Sequence, residues 1–154
     1  MKIGWANDRI AVGDAVDSQR DARQIEAAKI THVLNLRDGD NHPEHVMDEA
    51  AWFAKQGTIY LNNPTHDDGA KKPPEWFKTS IDFILHALVA DPENKILIHC
   101  KDGSNRAPST AVACLMALGA PLEHAVEHVQ EARPEAKMRY NNDAVKAIKA
   151  LGYK

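Results

Sequence analysis

The sequence predicts an α/β domain with a central, mostly parallel sheet of about four to five strands flanked by helices. Three observations predict it. Short apolar, β-branched runs alternate with amphipathic helical segments along the chain. One run, "KILIH" (Lys95–His99), is continuously apolar up to its last residue, as a strand covered on both faces must be. That run passes through a short glycine-containing loop straight into a further helical segment.

Taken in order, "RIAVG" (Arg9–Gly13) reads as a first strand. A helix from about Ser18 to Ala28 follows it. "THVLNLR" (Thr31–Arg37) is a second strand, closed by the turn signal Asp38-Gly39-Asp40. "HPEHVMDEAAWFAKQ" places Val46, Met47, Ala50, Phe53 and Ala54 on one helical face, and Gly57 ends that helix. "TIYL" (Thr58–Leu61) is a short strand. The polar stretch from Asn62 to Lys72 is a loop, and Pro73-Pro74 starts a helix carrying Phe77, Ile81, Ile84 and Leu88 on one face. Asp91-Pro92 stops that helix ahead of the buried strand. Helical segments at about Ala107–Leu118, Leu122–Ala132 and Asn142–Leu151 complete the chain.

The bulk composition is that of an ordinary globular protein. The 154 residues suit a single domain, 1–154, with a real core. The chain is 44% hydrophobic and 27% charged, with a formal net charge of −3, so it carries no electrostatic footprint for nucleic acid. Two cysteines do not make a disulfide framework and point to a reducing compartment. The opening residues lack a signal-peptide apolar run, and no stretch is apolar enough for a membrane span, so a cytoplasmic location is expected.

The chemistry concentrates where the buried strand ends. Ligands of such sheets sit beyond the carboxyl ends of the strands, and Cys100 stands at that end. Gly103 lets the loop Cys100–Arg106 turn back at low steric cost, so that successive backbone N–H groups form an anion nest. The N-terminus of the next helix adds partial positive charge. Arg106 adds a planar fork matched to two phosphate oxygens. A free thiol titrates near about 8.5, and helix N-termini or cations bring it to roughly 3.5–7.5, so Cys100 is expected to react as the thiolate.

Read residue by residue, this loop, His99-Cys100-Lys101-Asp102-Gly103-Ser104-Asn105-Arg106, resembles the H-C-x-x-G-x-x-R loop of the cysteine-based dual-specificity phosphatases, in the protein tyrosine phosphatase superfamily. "RIAVGDA", "ITHVLNLRD" and "EWFKTSIDFI" resemble further segments of that family, in the right order. The resemblance implies a two-step reaction. Cys100 attacks phosphorus, a loop aspartate protonates the leaving oxygen and then helps activate water, and neither metal nor cofactor takes part. It implies that Lys101, Asp102, Gly103, Ser104, Asn105 and Arg106 hold the phosphoryl group, and that His99 orients the loop and tunes the thiol. The substrate is then a phosphorylated protein or a small phosphomonoester. The short Asp38–His42 region suggests a pocket shallow enough for phosphoserine and phosphothreonine as well as phosphotyrosine. Phosphoinositide phosphatases of the superfamily carry extra lysines in the loop, where this chain has Asp102.

The acid is Asp67 or Asp68. Counting back from Phe77 favours Asp67, and counting back from Cys100 favours Asp68. The second count crosses the variable Asp91–Asn94 connection, so Asp67 is preferred. Their neighbour His66 reads as an exposed bystander, or else as a loop-closing contact. Ser109 and Thr110 read as satisfying local backbone groups, and Cys114 as core. The family usually has Ser or Thr after the arginine, and Ala107 departs from that pattern. The Arg-Ala-Pro run it creates resembles plant glucan phosphatases. "HAVEH" (His124–His128) matches a zinc-peptidase pattern, but only a short stretch of chain follows to supply a third ligand. A solvated helix face is the preferred reading there.

Overall fold

Side-chain alternation along three buried strands builds the molecule. In the computed structural model, which describes residues 1–39 and 42–153, β2 (Ile10–Gly13), β3 (His32–Asn35) and β5 (Ile96–His99) are buried along their whole length. Ile10, Val12, Leu34, Ile96 and Ile98 point to one side of the sheet. Ala11, Val33 and Leu97 point to the other. Each face therefore needs its own cover.

The larger face is covered by α3 (Pro74–Ala90), α4 (Arg106–Ala117), α5 (Leu122–Ala132) and α6 (Asn141–Ala150). The smaller is covered by α1 (Gln19–Ala27), through Ala22 and Ile25, and by α2 (Pro43–Gln56), through Phe53. Ser18 caps α1 by accepting from Asp21 N–H at 3.2 Å. Gly57, at φ 80°, ends α2 in the left-handed conformation that glycine tolerates.

The five-stranded sheet runs β1-β2-β5-β3-β4, with β1 being Ile3–Trp5 and β4 Ile59–Asn62. Every pairing is parallel except that of β1 with β2. The alternating pattern thus predicted the class, the helices and four of the strands. It missed β1, whose three residues are too few to show a period.

The position of β5 matters most. It lies between β2 and β3, aligning His99 with Gly13 on one side and Asn35 on the other. Connections leave this point in opposite directions, which opens a crevice beyond the strand ends. Cys100 opens the loop there.

The α2 face differs from expectation. Phe53 is buried, but Met47 is 72% exposed and Ala54 is exposed, and the other buried residue is Glu49. The helix lies with its 49–53 line against the sheet, where Phe53 stacks on Tyr60 at 5.6 Å. Periodicity assigns a glutamate to solvent. Here it points inward because a buried partner awaits it. Asp40, part of the predicted turn, and Asn41, in the short Asp38–His42 region, lie outside the described residues. Among the described residues no helix is long and apolar enough to cross a membrane.

Candidate active site

The loop between β5 and α4 folds as an anion seat. Cys100 and Arg106 are each 2% exposed, and Arg106 is the first residue of α4. Gly103 has φ 67°, and a Cβ there would stand 2.7 Å from the Arg133 guanidinium. Arg133 explains how the loop keeps its shape. From the end of α5 it donates to the Asp102 carbonyl at 3.0 Å and the Gly103 carbonyl at 3.3 Å. Lys137 and Met138 N–H groups donate to the Ser104 carbonyl at 3.0 and 2.9 Å. These carbonyls are thus bound to protein partners, as an anion nest of loop amides requires. Arg133→Met keeps the buried stem but strands these carbonyls. It is expected to cost about 1.5–3 kcal/mol in urea unfolding and to weaken binding of phosphate analogues.

Above the seat lies an open cleft of about 640 Å³ lined by Asp38, Pro43, His66, Asp67, Asp68, Lys101, Asp102 and Arg106. Of the sequence-predicted residues, Asp67, Asp68, Lys101, Asp102 and Arg106 line this cleft, although they come from distant segments. Arg106 Nη1 donates to the Thr65 carbonyl at 2.9 Å and lies 3.8 Å from Asp38. The Asp38 carboxylate also pairs with His66, so His66 bridges two loops and is not the bystander expected. Asp38, read only as a turn residue, belongs to the cleft.

The two candidate acids have different surroundings. Asp67 Oδ1 accepts from the Tyr140 hydroxyl at 2.8 Å and from Arg139 at 3.1 Å, while Oδ2 accepts from Asn105 Nδ2 at 3.2 Å. Asp67 is thereby tied to the anion loop itself. The Tyr140 hydroxyl in turn accepts from Gly69 N–H at 2.9 Å, and burial pushes its phenol up. Asp68 is exposed on the cleft rim, accepting from Ala70 N–H at 2.9 Å and from Lys72 Nζ at 3.0 Å. The Ala70 amide and then Lys72 hold its carboxyl below the usual aspartate range.

His99 is fully buried at the strand end, with Nδ1 3.3 Å from the Cys100 carbonyl and Nε2 2.6 Å from Glu49 Oε2. Lys101 and Asp102 are exposed at the cleft rim. Ser109 does not serve a local backbone group. Its hydroxyl accepts from the Tyr140 N–H at 3.2 Å, joining α4 to the segment before α6. Thr110 Oγ1, read the same way, is buried without a partner among the described residues. Ser104 Oγ is likewise turned toward Lys137 N–H, at 3.4 Å. Cys114 is fully buried in the core, and burial pushes its thiol up. His124 and His128 are exposed on α5, and the metal-competent cluster found among the described residues is elsewhere, at His42, Glu44 and His45. Sequence reasoning missed Glu49, Arg133, Arg139 and Tyr140. The Arg133-Pro134 and Arg139-Tyr140 pairs, polar residues between two amphipathic helices, were the available signal.

Comparison with known proteins agrees with this geometry. The profile of the dual specificity phosphatase catalytic domain matches residues 12–148. Dual specificity protein phosphatase 26 of Rattus norvegicus is 33% identical over 112 residues, which cover 73% of this chain and 49% of that protein. Protein phosphatase Slingshot homolog 3 of Mus musculus is 29% identical over 116 residues, covering 72% of this chain and 15% of that protein. The chain thus spans about half or less of these relatives' length. Among solved structures, PTPMT1 in complex with PI(5)P superposes with a TM-score of 0.83 at 14% identity, covering 99% of this chain and 97% of that one. Human DUSP28 gives 0.78 at 21% identity, covering 99% and 96%. Both likenesses concern the fold.

Proposed function

The chain belongs to the dual specificity phosphatase catalytic domain family, and on that premise we propose that it hydrolyses phosphomonoesters through a phosphocysteine on Cys100, acting on phosphotyrosine, phosphoserine and phosphothreonine of proteins. One observation carries the reading: a buried cysteine and a buried arginine open and close an anion loop at a helix N-terminus, beneath an aspartate hydrogen-bonded to that loop. The Cys100 sulfur forms a bond to phosphorus as the ester oxygen leaves. Asp67 gives that oxygen its proton. Asp67 then takes a proton from water, water oxygen bonds to phosphorus, and the thiolate departs. Arg106 and the loop amides stabilise the equatorial oxygens in both steps. Asp68, held ionised by Lys72 and the Ala70 amide, is poorly suited to donate a proton.

The cleft lining bears on the substrate. Asp38, Asp67, Asp68 and Asp102 line it beside Lys101 and Arg106, and His66, Arg139 and Lys72 pair with the first three. Asp102 stands in the loop where extra lysines would attract a polyphosphorylated headgroup, which supports one phosphate on a peptide. Phosphopeptides, phosphoinositides and phosphoglucan assayed side by side test this, and peptides are expected to give the highest kcat/KM. A dominant phosphoglucan activity would instead favour the reading suggested by Arg106-Ala107-Pro108.

Ala107 has a kinetic consequence. Its methyl is buried, and the Ser104 and Ser109 hydroxyls are both turned to the segment 137–140. Ala107 itself offers no hydroxyl to the thiolate leaving in the second step. A hydrogen bond to a charged group is worth roughly 1.5–3 kcal/mol, or about ten- to a hundredfold in rate. A pre-steady-state burst of nitrophenol is expected from the wild type, and Ala107→Ser is expected to shrink it and raise steady turnover. Absence of a burst, with no gain for Ala107→Ser, would show that thiolate departure is not limiting.

A further inference from the structure

A carboxylate at 1% exposure on a helix needs a strong partner, and Glu49 has one. His99 Nε2, itself fully buried, stands 2.6 Å from its Oε2. A contact this short between a buried imidazole and a buried carboxylate is the length of a charge-assisted hydrogen bond.

The other end of His99 completes the assignment. Nδ1 lies 3.3 Å from the Cys100 carbonyl oxygen, which only accepts. Both ring nitrogens therefore face acceptors, and the form that satisfies both is the imidazolium. Arg37 after β3 has its guanidinium 3.4 Å from Asp17 and 3.5 Å from His45 Nδ1. From α4, Arg106 and the helix N-terminus face the loop that follows His99.

We propose that Glu49 is a positioning residue for the nucleophile: it holds His99 as an imidazolium with one N–H fixed on the Cys100 carbonyl, and so favours the Cys100 thiolate. The inference rests on the phosphocysteine reading of the site. Its physical content is a buried ion pair whose positive end lies on the Cys100 side and whose negative end lies in α2. A neutral imidazole would leave the loop's shape largely intact but remove that charge.

Glu49→Gln in the full chain tests it, because the amide preserves volume and hydrogen bonding but not charge. The acidic limb of kcat/KM for para-nitrophenyl phosphate should move up by about one pH unit. The midpoint of Cys100 alkylation by iodoacetamide, followed on the Cys100 peptide, should move with it. Activity on the acidic limb would fall about tenfold, while activity on the alkaline side of it stays near wild type. His99→Asn should cause a similar shift, and adding Glu49→Gln to it should cause none beyond that. A loss in Glu49→Gln that is uniform across pH, or additive shifts in the double variant, would overturn the proposal in favour of a structural role. Should Glu49→Gln fail to fold, nitrogen NMR of histidine-labelled wild type decides. Two protonated ring nitrogens at His99 near neutral pH are expected, and a single-tautomer neutral ring would overturn it. If the wild type lacks hydrolysis but shows the doubly protonated ring, the phosphocysteine reading fails while the Glu49–His99 assignment stands.

Discussion

Cys100→Ser is expected to lower hydrolysis of para-nitrophenyl phosphate by at least about 10⁴-fold while leaving tungstate or vanadate binding measurable. The two halves of this expectation come from different parts of the site. The hydroxyl is a far weaker nucleophile than the thiolate, because an alcohol holds its proton throughout the working pH range. The seat, in contrast, is made of loop amides, the α4 N-terminus and Arg106, and none of these changes. The carbonyls that would spoil it remain bound to Arg133, Lys137 and Met138. Calorimetric titration with tungstate, set against turnover, checks both halves. Loss of anion binding together with activity would mean that the substitution collapses the loop.

Asp67→Asn is the second large effect. A positioned general acid contributes roughly 10²–10⁴-fold, most where the leaving group is a poor one. Alkyl phosphates should therefore lose activity near the top of that range, and para-nitrophenyl phosphate, whose phenolate leaves readily, much less. The pH sign is fixed by the role. An acid must be protonated to work, so the rate falls as pH rises through its titration, and an amide removes that fall. The basic limb should flatten in Asp67→Asn. It should persist in Asp68→Asn, since Asp68 is held ionised by the Ala70 amide and Lys72. The opposite pattern would transfer the role to Asp68.

These two residues mark how far the sequence could be read. Cys100 and Arg106 are legible because a strand, a short loop and a helix N-terminus are contiguous, so one stretch of sequence contains the whole anion seat. The proposed acid is legible only to within a pair, because the choice rests on partners from elsewhere. Asn105, Arg139 and Tyr140 hold Asp67, and only folding brings the segment before α6 beside residues 66–69. Arg133 and Glu49 were missed. Each is a charged side chain that helical periodicity assigns to solvent, and each is buried because a polar partner lies at the end of β5 or in the loop after it. Strand β1 was missed for a related reason: its place is fixed by pairing with β2, with Ile3 opposite Gly13.

The phosphorylated nucleophile itself is the most direct observable. Acid quenching during turnover of para-nitrophenyl phosphate, followed by peptide mass spectrometry, reads where the phosphoryl group resides. The phosphate is expected on the sulfur of the Cys100 peptide, more abundantly in wild type than in Ala107→Ser and never in Cys100→Ser. Phosphate on another residue, or steady hydrolysis by Cys100→Ser at the wild-type rate, would contradict the mechanism.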